Sequence, residues 1–227
     1  MRLLLEDRPP ARLLELLIGL ARMRLNPLRP IPEWQRVAAN SLEAIGLSAA
    51  ADGLRLSAEL EAHHHLFLLD DLVQLHARAQ IMGLPCAGLR ELVMGEPSPE
   101  ASEHARLRQL ALCEGKEAAL VVELELAQLG MVLGPALLDA WGWHFTGGAD
   151  CLRWATARAA DAYRRADERV SQVHEALARV PETRRNAAAH DWVRTAEEVI
   201  DSYLASMWVS ELSLENRLDD GEGLFDG

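Results

Sequence analysis

Residues 116–141 read KEAALVVELELAQLGMVLGPALLDAW, and this run decides the fold class. Apolar side chains sit at nearly every position, so no single stripe holds them. A helix that is apolar on all sides belongs at the centre of a larger assembly. The chain as a whole is rich in strong helix formers, while aromatics make up only 5% of it and β-branched residues are few. The expectation is an all-α protein with no sheet. It would be a single bundle of about seven to eight helices over residues 1–215, followed by an acidic flexible tail at 216–227. Gly130, Gly134 and Pro135 inside the run predict a kink. The two glycines also thin the helix where either a ligand or a second helix could approach its backbone.

Proline and glycine punctuate the rest of the chain into helical runs. An amphipathic helix is expected over about residues 10–25 and is closed by NPLRPIP. EWQRVAANSLEAIG forms a second, and a third spans about residues 54–82. Ser98-Pro99-Glu100 supplies a cap, a first-turn proline and a first-turn acid for another. A long polar helix over about 149–179 and a last one from Pro181 to about Leu214 complete the set. No internal repeat and no linker divides the chain.

Composition narrows the function. The 227 residues are 49% apolar and 26% charged, an ordinary globular balance with enough chain for one large core. The net charge is −12 and the paired arginines are embedded among acids, so the clustered basic surface that nucleic acid or anionic lipid requires is missing. Cys86, Cys113 and Cys151 are far apart and odd in number, as in a reducing cytosol. Glu6, Asp7 and two prolines interrupt the place where a signal peptide needs its apolar core, and no run of about eighteen uncharged apolar residues offers a membrane span. A cytoplasmic protein is expected.

Three stretches carry candidate chemistry. ELEAHHHLFLLDDL, residues 59–72, places Glu61 one turn before His64 and His65. Leu68, Leu72 and Leu75 continue that face, so the pair points into an apolar interior. Imidazole with carboxylate suits iron or another first-row metal. Successive helical residues lie about 100° apart, so the triplet must divide: Glu61 and His64 inward, His63 outward, with His65 as the alternative to His64. In the central run, Glu123 and Glu125 are carboxylates in an apolar helix, and at least one needs a cation, a metal or a histidine. The third stretch, ARAADAYRRADERVSQVHEAL (157–177), offers Asp161, Tyr163, Asp167 and His174 among alternating charges that otherwise read as a solvated face. His76, His104, His144 and His190 are isolated and take no assigned role. No phosphate-binding glycine loop and no hydrolytic triad signature is visible.

The order of these features, a Glu-x-x-His helix, then a glycine-containing helix ALVVELELAQLG about sixty residues on, then two long terminal helices, resembles the haem-oxygenase-like superfamily. Within it the likeness is to the iron-containing redox enzymes, the haem-oxygenase-like di-iron oxidases, whose relatives include the thiaminase II and pyrroloquinoline-quinone synthase groups. The likeness covers roughly residues 10–210. It implies Fe(II) held by Glu61, His64 and Glu123, with Glu125 as the alternative to Glu123. The third helix of the family pattern, His-x-x-x-Asp-x-x-His, here reads Tyr163-x-x-x-Asp167-x-x-Val170, which keeps only Asp167 as a metal ligand. The register through Ala157, Asp161 and Arg164 is no nearer.

The function implied is an iron- and O2-dependent oxidoreductase acting on a small organic substrate in a bundle-core pocket. It would have no nucleic-acid or membrane partner, and a homodimer is an assembly it allows. With two histidines missing, the site is mononuclear, has lost its metal, or belongs to a metal-free enzyme of the same fold. The alternative from another class is a non-catalytic bundle that binds a small molecule or a partner protein.

Overall fold

The computed structural model describes residues 9–25, 28–145 and 150–219. Of the described residues, 87% are helical and none is in a strand. The helices are α1 (Pro10–Leu25), α2 (Ile31–Ala44), α3 (Ser48–Ile81), α4 (Leu89–Met94), α5 (Pro99–Cys113), α6 (Ala118–His144), α7 (Arg153–Arg164), α8 (Ala166–Arg179) and α9 (Glu182–Asp219), with a 3₁₀ turn at Asp150–Leu152. Taken as two halves of one rod broken at Arg165, α7 and α8 make the described helices eight, the all-α bundle expected. The helix α9 passes residue 215 and reaches Asp219, so the expected tail starts later than 216. Its remainder, residues 220–227, lies outside the described residues, as do the acids and the first proline-flanking residues of the amino terminus.

Helix α6 is the central element, packed most extensively against α7 and also against α9. Its most apolar window has a mean hydropathy of 1.6, so by length and composition the helix could cross a membrane, although Glu123, Glu125 and Asp139 leave no uncharged run of about eighteen residues in it. However, 61% of that window is buried in the bundle, as in the core helix of a folded protein. The helix runs unbroken through Pro135. Proline lacks an N–H, which frees the Met131 carbonyl one turn back, and the Tyr163 hydroxyl donates to that carbonyl at 3.4 Å. At Gly134 a side chain is excluded by the neighbouring helix: a Cβ there would stand 2.8 Å from Ala159 Cβ and 3.1 Å from the Ala155 carbonyl. Of the two roles open to the glycines, Gly134 serves helix packing.

The core has two apolar ends. One joins α2, the start of α3, α5 and the start of α6 through residues such as Leu42, Leu54, Leu112 and Leu120. The other joins α1, the second half of α3 and the second half of α6 through Leu14, Leu72, Leu75, Leu137 and Trp141. Each fully buried leucine contributes about 1.5–3 kcal/mol. Glu61 and His64 fall between the two ends on α3, as Glu123 does on α6. The bundle therefore has a charged layer between two apolar ones, and the apolar ends stabilise the fold that holds it.

Candidate functional site

Helix α3 builds one wall of this layer. The triplet divides as its spacing requires: His64 is buried, His65 half-buried and His63 exposed. His64 Nε2 lies 2.9 Å from Asp161 Oδ2 of α7. A carboxylate only accepts, so Nε2 carries a proton and donates it to Asp161. The ring's Nδ1 is buried without a hydrogen-bond partner and faces Glu61 Oε2 at 3.8 Å. Glu61 in turn accepts from Arg158 Nη1 at 3.1 Å. Burial alone would raise the Glu61 pKa, but the Arg158 guanidinium, helped by His64 and Arg108, holds it well below the usual carboxylate range.

Glu123 enters from α6 and is buried, whereas Glu125 is half-buried, so Glu123 is the carboxylate that α6 turns into this layer. One Glu123 oxygen accepts from Arg108 Nη2 at 2.7 Å and the other from Gln35 Nε2, also at 2.7 Å. Glu61, His64, Glu123, Asp161 and Arg169 line one cavity of about 30 Å³. Glu61 and His64 also line a second of about 30 Å³ with Arg24, Arg158 and Trp154.

Asp167 is corrected as a site residue. It is exposed on α8, beyond the break at Arg165, and Asp161 is the carboxylate this rod brings inward. The break has a cause in its surroundings. The Arg165 guanidinium is buried and donates to Ser57 Oγ at 2.9 Å and to the Gly53 carbonyl at 2.8 Å, anchoring the junction on α3. The stretch expected to be a solvated face is thus two-sided, with Arg158 and Arg165 inward and Tyr163, Arg164 and Asp167 outward.

Arg24, Arg108, Gln35 and His104 were missed. His104, given no role by its sequence, is buried against the Tyr203 ring at 5.2 Å, and its Nδ1–H donates to the Val199 carbonyl at 3.2 Å. Burial, with Arg108 and Arg24 nearby, lowers its pKa to about 3, so the ring is neutral. Helical period held a signal for some of these residues. Arg24 follows Leu17 and Leu20 by seven and four, and Arg158 and Arg165 share the face of Ala155 and Ala162.

The donor set does not fit iron as it stands. Glu61 and Asp161 approach opposite nitrogens of His64, so the three have no common focus. Glu61 and Glu123 are held by guanidiniums, and a metal would have to displace those charge-assisted bonds. Among the described residues no group of three or more His, Cys, Asp or Glu side chains is placed to hold a metal ion. The arrangement can hold a small polar or anionic molecule and orient it with arginines. Compared with known proteins, the chain matches no family model, no curated protein and no solved structure.

Proposed function

We propose that this chain is a bundle of the haem-oxygenase-like kind that binds a small molecule in its charged layer without a resident metal. The observation that carries this reading is the pairing of Glu61 with Arg158 and of Glu123 with Arg108, guanidiniums standing where the family likeness would place iron. Around those pairs, small cavities persist beside His64, Arg24 and Trp154. Asp161 orients the His64 ring through Nε2, Arg158 keeps Glu61 ionised, and His64 Nδ1 is left without a hydrogen-bond partner beside these cavities.

A second reading, the iron- and O2-dependent oxidoreductase, has one observation in its favour: Glu61, His64 and Glu123 do line a common cavity. Metal binding separates the two. Protein purified without an affinity tag, stripped with chelator and titrated anaerobically with Fe(II) is expected to retain well under one equivalent by elemental analysis. A full equivalent, lost in His64→Ala and kept in His63→Ala, would overturn the metal-free reading in favour of the oxidoreductase.

A further inference from the structure

Arg24, in the last turn of α1, is 6% exposed and lies at the meeting of two cavities. Its guanidinium carbon stands 4.2 Å from the Trp154 ring centroid and 4.5 Å from that of Tyr203. Stacking on aromatic faces offsets part of the cost of burying the cation but offers no hydrogen-bond acceptor. Its Nε has no hydrogen-bond partner. Glu61, the carboxylate whose charge reaches Arg24, is engaged by Arg158, and none of the described residues forms an ion pair with Arg24.

The charges of the layer give the same answer. Arg24, Arg108, Arg158 and Arg169 surround Glu61, Glu123 and Asp161, one guanidinium more than there are carboxylates. Burial lowers the pKa of Arg24, yet a guanidinium does not release its proton in any ordinary pH range. An uncompensated buried cation is costly unless something pairs with it.

We propose that Arg24 is the recognition residue for a small monovalent anion, the carboxylate of a short-chain organic acid, bound between Trp154, Tyr203 and Arg158. The site's size sets the length of the acid. The cavity beside Glu61 and His64 measures about 30 Å³, and the adjoining one, walled by Leu20, Leu126, Leu133 and Leu137, about 20 Å³. A water needs on the order of 10–15 Å³ by this measure, so together they hold a molecule of only a few heavy atoms. The charged cavity takes the carboxylate and the leucine-lined one takes the alkyl end. Chloride shares the charge but has nothing to place among the leucines.

This inference rests on the metal-free reading above and deepens it by naming the ligand class. Chelator-treated wild-type protein is melted in rising sodium propionate, propionamide or sodium chloride at constant ionic strength set with sodium gluconate. Propionate tenfold above its Kd is expected to raise Tm by roughly 3–6 °C, saturably, while isosteric propionamide does nothing. The Arg24→Met variant should lose the propionate response while folding at least as stably without ligand. Equal responses to propionate and propionamide, or none to either, overturn the proposal, and this arm needs no variant. Equal saturation by chloride and propionate overturns the organic-acid assignment. Because iron is removed first, these outcomes are independent of the Fe(II) titration, whose failure would strike the metal-free reading alone.

Discussion

Glu123 shows how one residue ties chemistry to stability. It sits in the most apolar helix of the chain, and burial there is tolerable because Arg108, itself only 1% exposed, and Gln35 take its two oxygens. Removing one member of such a pair leaves a charge without compensation, which costs about 3–5 kcal/mol, whereas replacing both with apolar side chains of similar volume is close to neutral. Glu123→Ala should therefore lower the urea midpoint severely, and the double substitution Arg108→Met with Glu123→Leu should recover most of the loss. If the double variant instead sums the two single losses, the pair is not the reason Glu123 is tolerated. That Glu123 needs a partner is legible from its neighbours in sequence. Which partner it finds is not, because SEHARLRQLALC reads as an ordinary amphipathic helix with its arginines outside. The meeting of α5 with α6 is a tertiary fact. The same gap explains why Glu61 and His64 are readable as an inward pair while Arg158, in the next wall, passes for surface charge.

At the scale of the element, helix boundaries follow the sequence wherever caps and breakers act locally, as at Ser98, whose Oγ accepts the Ala101 N–H at 3.1 Å. They depart from it where packing decides. Helix α3 begins at Ser48, well before the expected Leu54, because Gly53 does not break it: the glycine is buried under the Gln172 side chain, and Arg165 donates to its carbonyl. The α6–α7 contact is a packing decision of the same kind and gives a paired test. Gly134→Ala places a methyl into Ala159 and the Ala155 carbonyl, so the helices must separate at a cost of about 1–3 kcal/mol. Gly142, in the same helix, has nothing within 4 Å of a built Cβ, so Gly142→Ala should be neutral or stabilise by up to about 1 kcal/mol. Urea unfolding of the two variants measures the contrast. Similar effects from both would mean that the glycines act through helix propensity and not through contact.

At the scale of the whole molecule, the charged layer between two apolar ends makes stability depend on pH through groups that face one another across helices. His104 links α5 to α9 through the Val199 carbonyl and Ser202 Oγ, beside Arg108, Arg24 and the Tyr203 ring. Those arginines stay charged, and with burial they hold the imidazole neutral, its pKa lowered to about 3. An unfolded histidine titrates near 6.5. Between those values the unfolded chain takes up a proton that the folded one refuses, so stability through this group falls as pH falls, by at most about 1.4 kcal/mol per pH unit. Asp71 works the other way. It accepts the Arg153 and Trp154 N–H groups that open α7, yet burial raises its pKa to about 6, so its contribution grows as pH drops from about 6 towards 4. The raw profile mixes the two signs, and a difference profile separates them. His104→Gln keeps a donor for the Val199 carbonyl but has nothing to protonate. The variant should be the less stable protein at pH 7, and its deficit should shrink and then reverse as urea midpoints are followed from pH 7 down to pH 4. Parallel profiles for variant and wild type over that range would mean that His104 is as ready to protonate in the bundle as in the open chain, and that the arginine-rich layer does not set its charge.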